Sequence, residues 1–302
     1  MRVSSNQYLS TMQLAMQTSN SALAELLQRM SSGDRLLAPS DDPIASVRLL
    51  RLQREEAALD QYQQNIGALS SALSKNESIL DSISLDIRDA KDLLTAAANN
   101  PPVDDLKAMA TPLRSLRESL FYSANTKDAE GRYMFSGSKP AVAALAYDAA
   151  QPAGSRYSFT GNTDKQQVVV GDGITQASNV TLENMADILN QLDKTIGRLE
   201  DPALDNKDPS VAADIRSAMN ASDKALEGIS SKIAQLGGTQ NIMKTLALNH
   251  DNVSLSNKQT MTKLGSLDYA DAFIQMNGYT MALQASQKAY GRVSQLSLFD
   301  VI

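Results

Sequence analysis

The side chains best suited to chemistry in this chain are few and scattered. His250 is the sole histidine and there is no cysteine. Thiolate zinc sites, multi-histidine metal sites, cysteine nucleophiles and disulfides are therefore excluded. His250 falls on a helical row with Met243 and Asn257, where a polar residue helps to fix the register of packed helices. Asp41-Asp42, with Asp34 nearby, could attract a cation. They stand just before Pro43, however, where Ser40 or Asp41 is placed to cap a helix whose first turn holds the proline. Gly171-Asp172-Gly173 follows a valine run but lacks the spacing and the lysine of a phosphate loop, so it predicts a hairpin turn. The 34 acidic residues lie along helix faces, and nowhere do a base, a nucleophile and an orienting partner converge. No catalytic, cofactor-binding or metal-binding residue is assigned, and an enzyme is the weakest of the functional readings.

What remains to be explained is a set of long helices. Aromatic residues make up 5% of the chain and tryptophan is absent, which suits helices packed by Leu, Ile, Met and Ala better than a lined pocket. The net charge of −6 speaks against nucleic acid as a partner, since that requires a basic surface to displace counterions. The opening MRVSSNQYLS has no apolar run of signal-peptide length, and no stretch is apolar enough to insert in a membrane.

The first 31 residues carry Leu9, Met16, Leu23 and Met30 at intervals of seven, with Met12, Ser19 and Leu26 beside them. This is the seam of an amphipathic, coiled-coil type helix. Gly33 and Pro39 end it. The strongest pattern follows: Leu52, Leu59, Ile66, Leu73, Leu80, Ile87 and Leu94, with Tyr62, Leu69, Ile83, Ala90 and Ala97 on the companion row. Glu55 and Asn76 interrupt that row. The spacing predicts one helix over 43–98, roughly 80 Å long at about 1.5 Å per residue, and hence a rod. After Asn99-Asn100-Pro101-Pro102 a third helix, marked by Leu106, Leu113 and Leu120, is expected to end near Gly131.

Residues 132–181 then turn to short β-like runs, RYMFSG, RYSFTG and QQVVVGDG, and a helix is expected over 182–199. The last third is helical again. Ile215, Ser222, Ile229 and Leu236 form a row that Gly237-Gly238 is expected to end, a further helix runs to a joint near Gly265, and a final one carries Tyr269, Met276, Leu283 and Tyr290. The predicted class is mainly α: an elongated rod of long antiparallel helices drawn from both termini, with a small β-rich outer insert pushed to the far tip. The predicted domains are 1–42 with 265–302 (terminal helical core), 43–131 with 205–264 (long-helix rod) and 132–204 (insert with one helix).

Each terminal stripe is narrow and needs a partner, because a lone helix of this length is marginal in water. The terminal helices are expected to be largely disordered in the free chain and to order on polymerisation. The residues expected at subunit interfaces are Leu9, Met12, Met16, Leu23, Leu26, Met30, Tyr269, Met276, Leu283, Tyr290, Val293, Leu296, Leu298 and Phe299.

Four segments carry a family resemblance. Ser31-Ser32-Gly33 followed by Pro39-Ser40-Asp41-Asp42-Pro43 resembles the junction after the first helix of flagellin-like proteins, in the form of their hook-associated protein 3 (FlgL) branch. The run from Ala124 to Gly137, the segment Leu267-Asp268-Tyr269-Ala270-Asp271-Ala272 and the closing Gln295-Leu296-Ser297-Leu298-Phe299-Asp300 look like the same branch. The resemblance implies a secreted structural subunit of the bacterial flagellum, exported by the flagellar type III apparatus without a cleaved signal. It implies a layer between the hook-side junction protein and the flagellin filament, with neighbouring copies, both of those proteins and an export chaperone at the C-terminal region (Tyr269–Ile302) as partners. No cofactor, nucleic acid or membrane insertion is implied. A minor flagellin of the filament itself, and a non-flagellar coiled-coil scaffold or secreted effector, are the alternatives.

Overall fold

The computed structural model describes the backbone of residues 2–299 and the side chains of residues 7–292. This span forms six helices and four short strands: α1 (Arg2–Ser32), α2 (Pro43–Ala98), α3 (Val103–Ala124), β1 (Leu145–Tyr147), β2 (Tyr157–Phe159), β3 (Gln167–Gly171), β4 (Ile174–Ala177), α4 (Met185–Leu199), α5 (Pro209–Gly265) and α6 (Tyr269–Phe299). The mainly helical class with a small β insert is the one the sequence predicts. The chain divides into two compact units, residues 1–59 with 251–302 and residues 60–250.

In the larger unit, α2 and α5 run antiparallel. Tyr62 meets His250 with ring centroids 5.7 Å apart, Gln240 donates to Glu77 at 2.9 Å and Lys91 to Asp223 at 2.5 Å. Ile66, Leu73, Leu80, Ile87 and Leu94 of the predicted row are all buried. Each contributes about 1.5–3 kcal/mol by leaving water. α3 folds back on α2, where Ser119 Oγ donates to Asp86 at 2.7 Å, and α4 packs on α3 with Ile188, Leu189, Leu192, Ile196 and Leu199 buried. Asp193, buried on α4, takes a hydrogen bond from Arg117 of α3 at 2.6 Å.

Three sequence expectations need correction. Gly237-Gly238 does not end a helix, because α5 passes straight through it. A glycine costs about 1 kcal/mol within a helix, and burial of Leu236 and Met243 on either side outweighs that. The third helix stops at Ala124, not near Gly131, because Asn125 turns out to bind the backbone of Leu145. Finally, the β insert is not confined to the far tip. The hairpin β3–β4, closed at Gly173 (φ 66°), lies along the middle of the α2–α5 pair. There Asn65 Nδ2 donates to the Val169 carbonyl and His250 Nε2 bonds the Val170 carbonyl, both at 2.8 Å. His250 is thus an anchor for this hairpin as well as a residue of the helical row.

Candidate functional site

In the smaller unit α1 and α6 pack against each other. The predicted seams face inward. Leu26 and Leu283 are buried, and Leu9, Met12, Met16, Leu23, Met30, Met276 and Tyr290 are half-buried. The structure therefore brings the two terminal stripes together within one chain. Tyr269 is exposed on its ring but its hydroxyl donates to the Met30 carbonyl at 3.0 Å, tying the start of α6 to the end of α1. The side chains of Val293, Leu296, Leu298 and Phe299 lie outside the described residues.

Where α1 gives way to α2, and α5 to α6, the chain makes two crossings side by side. Gly33 (φ 79°) ends α1, its N–H donating to the Arg29 carbonyl at 2.8 Å. Asp34 and Ser266 then form an antiparallel bridge, in which Arg35 N–H donates to the Gly265 carbonyl at 2.7 Å and Leu267 N–H to the Gly33 carbonyl at 2.9 Å. Arg35 adds a side-chain bond, Nε to the Leu264 carbonyl at 3.0 Å, and reaches Asp42 at 3.3 Å.

The two aspartates divide the work here. Asp42 caps α2 by accepting from Ala45 N–H at 3.0 Å, while Asp41 accepts from Leu37 and Ala38 N–H at 3.0 and 3.2 Å and lies 3.5 Å from Arg29. The cap is one residue later than the sequence suggests, since Asp41 is occupied by the preceding loop. Backbone donors hold both carboxyls below their ordinary value: those of Leu37 and Ala38 for Asp41, and that of Ala45, helped by Arg35, for Asp42. Asp268 caps α6 in turn, accepting from Ala270 N–H at 2.9 Å. Glu56, rather than Glu55, faces inward from α2, taking a hydrogen bond from Ser254 Oγ at 2.7 Å.

The residues that sequence reasoning missed are those on the outward faces. Leu14 and Leu27 of α1, Ile44, Val47 and Leu50 of α2, and Phe273, Ile274 and Met281 of α6 are exposed, with Ile44 at 84% and Ile274 at 71%. They fall off the seven-residue rows, and the only signal that marks them in the sequence is an apolar type at a position the period assigns to solvent. Scattered exposed aliphatics are ordinary, but Phe273, Ile274 and Met281 share one side of a single helix. Among the described residues no group of three His, Asp or Glu side chains could hold a metal ion, and no helix is long and apolar enough to cross a membrane.

Comparison with known proteins gives matching results by sequence and by fold. Residues 3–140 match the bacterial flagellin N-terminal helical region. The chain is 29% identical to flagellar hook-associated protein 3 of Escherichia coli, covering 91% of each chain. It is 27% identical to the protein of the same name from Salmonella typhimurium, covering 100% of this chain and 99% of that one. A solved structure of a flagellar hook-associated protein from Vibrio parahaemolyticus is 33% identical, superposes with a TM-score of 0.67, and aligns over 75% of this chain and all of its own.

Proposed function

Because the chain belongs to the flagellar hook-associated proteins of the flagellin family, we propose that it forms the layer joining the hook-side junction protein to the flagellin filament, its copies meeting through their terminal helices. It is a structural component of the bacterial flagellum. The observation that carries the finer reading is the division of the α1–α6 pair into two surfaces. The seam, in which Leu26 and Leu283 are buried, holds the α1 and α6 segments of one chain together. The outward residues Leu14, Leu27, Phe273, Ile274 and Met281 are left for neighbouring copies. In this reading the seam residues shape the subunit interface by presenting that outer face.

The partners are further copies of the chain, the hook-side junction protein, flagellin, and an export chaperone on the Tyr269–Ile302 region before secretion. Export through the flagellar type III apparatus would place the assembled protein outside the cell. Deleting the gene tests the role. The expected result is an intact hook, flagellin lost to the medium and no motility. Filaments still attached to hooks in the deletion strain would overturn it.

A further inference from the structure

Asn277-Gly278 is the single Asn-Gly pair in the chain, and it lies within α6. Both residues are exposed. A β-carbon added to Gly278 would meet nothing within 4 Å, so packing does not demand glycine here, and its presence weakens the helix by about 1 kcal/mol. Asn-Gly is the dipeptide whose backbone most readily attacks its own side chain, because no β-carbon shields the glycine nitrogen.

We propose that Asn277-Gly278 is a self-modification site, closed while α6 is helical and reactive when that turn unwinds. The Gly278 nitrogen loses its proton to solvent and bonds to the Asn277 side-chain carbonyl carbon. The carbon–nitrogen bond of the carboxamide then breaks, and ammonia leaves carrying a proton from water. The five-membered imide that remains is opened by water at either carbonyl, giving aspartate or its β-linked isomer. No oxidant, metal or enzyme is required.

The helix closes the site by geometry. In a helical turn the Gly278 N–H is directed along the axis to the carbonyl four residues back, that of Ile274, and not toward the neighbouring side chain. Thr280 Oγ1, which donates to the Asn277 carbonyl at 2.9 Å, helps to hold this turn. The product falls on a sensitive surface. Asn277 lies between Phe273 and Ile274, one turn before it, and Met281, one turn after, and all three are exposed. Reaction puts a negative charge in the middle of that apolar ridge, and the β-linked product adds a backbone atom that a helix cannot absorb. A chain whose α6 stays closed keeps the ridge, and one that lingers open loses it.

The test uses the full-length chain, warmed at mildly alkaline pH in buffer and in parallel in denaturant. It is read by peptide mass mapping and by enzymatic methylation of β-linked aspartate. The expected result is conversion at Asn277 ahead of every other asparagine in both arms, slower in buffer than in denaturant. Gly278→Ala should slow the denatured arm by an order of magnitude, an effect that cannot come from helix stability. Conversion elsewhere first, a rate at Asn277 as fast in buffer as in denaturant, or an unchanged rate in denatured Gly278→Ala would each overturn the proposal.

Discussion

Asn125 and Leu145 exchange two hydrogen bonds: the Leu145 N–H donates to Asn125 Oδ1 at 2.9 Å, and Asn125 Nδ2 donates to the Leu145 carbonyl at 3.0 Å. One carboxamide thus takes the place of a neighbouring strand along β1. Asn190 of α4 does the same for β2, accepting from Tyr157 N–H at 2.9 Å and donating to its carbonyl at 2.8 Å. A two-stranded sheet three residues long has nothing but edges, and unpaired edges invite pairing with other chains. Asn125→Ala leaves both Leu145 groups unpaired and should cost about 1–3 kcal/mol by urea denaturation. The Asn125→Ala/Asn190→Ala double variant should also associate on standing, read by light scattering.

Gly237→Ala and Gly238→Ala should each stabilise the chain by about 1 kcal/mol, since both glycines lie inside α5 and an added β-carbon meets nothing within 4 Å. A rise in the urea midpoint with an unchanged slope is the expected readout.

Acid should loosen the α1–α2 joint. Asp41 and Asp42 are held below the ordinary aspartate value of 3.8 by backbone donors that the unfolded chain does not supply. A folded value below the unfolded one means that the contribution is complete above 3.8 and is lost as pH falls through the lowered folded values. Amide exchange of residues 33–45, corrected for its intrinsic pH dependence, should lose protection in that acid window. Asp41→Asn/Asp42→Asn, which removes both titrations, should flatten the change.

The two surfaces of α6 should answer differently to substitution. Leu283→Ala truncates a side chain 8% exposed at the α1–α6 seam and should destabilise the smaller unit by about 2–3 kcal/mol, read by amide exchange in α1 and α6. Ile274→Asp alters an exposed residue and should change the free chain by no more than about 0.5 kcal/mol. It should nevertheless keep the chain out of the assembled junction, so that cells carrying it shed flagellin.

The long helices were legible because burial follows the period so closely: Leu73, Leu80, Ile87 and Leu94 are seven apart and all are inside. Gly237-Gly238 misled because propensity is local, whereas the rows on either side of it are buried by a helix more than a hundred residues away in sequence. The joint was legible only in outline. Gly33 and Pro43 announce a break, but the bonds from Arg35 to Leu264 and Gly265 join points that no spacing rule connects. A seven-residue stripe says which face of a helix wants cover, not whose side chains supply it. For this reason the burial of Leu26 and Leu283 in a seam made within one chain, and the exposure of Ile274, emerged only from the fold.

The bridge between Asp34 and Ser266 has a mechanical consequence. Because Arg35 N–H and Leu267 N–H bond across it in opposite directions, the two crossings are laced together as one short antiparallel ribbon. α1 ends beside Gly33 and α6 begins just after Leu267, so drawing the two terminal helices apart meets the Gly33–Leu267 bond first and the Arg35–Gly265 bond behind it. The two ends of the polypeptide are therefore fastened where a tug on one is shared by the other.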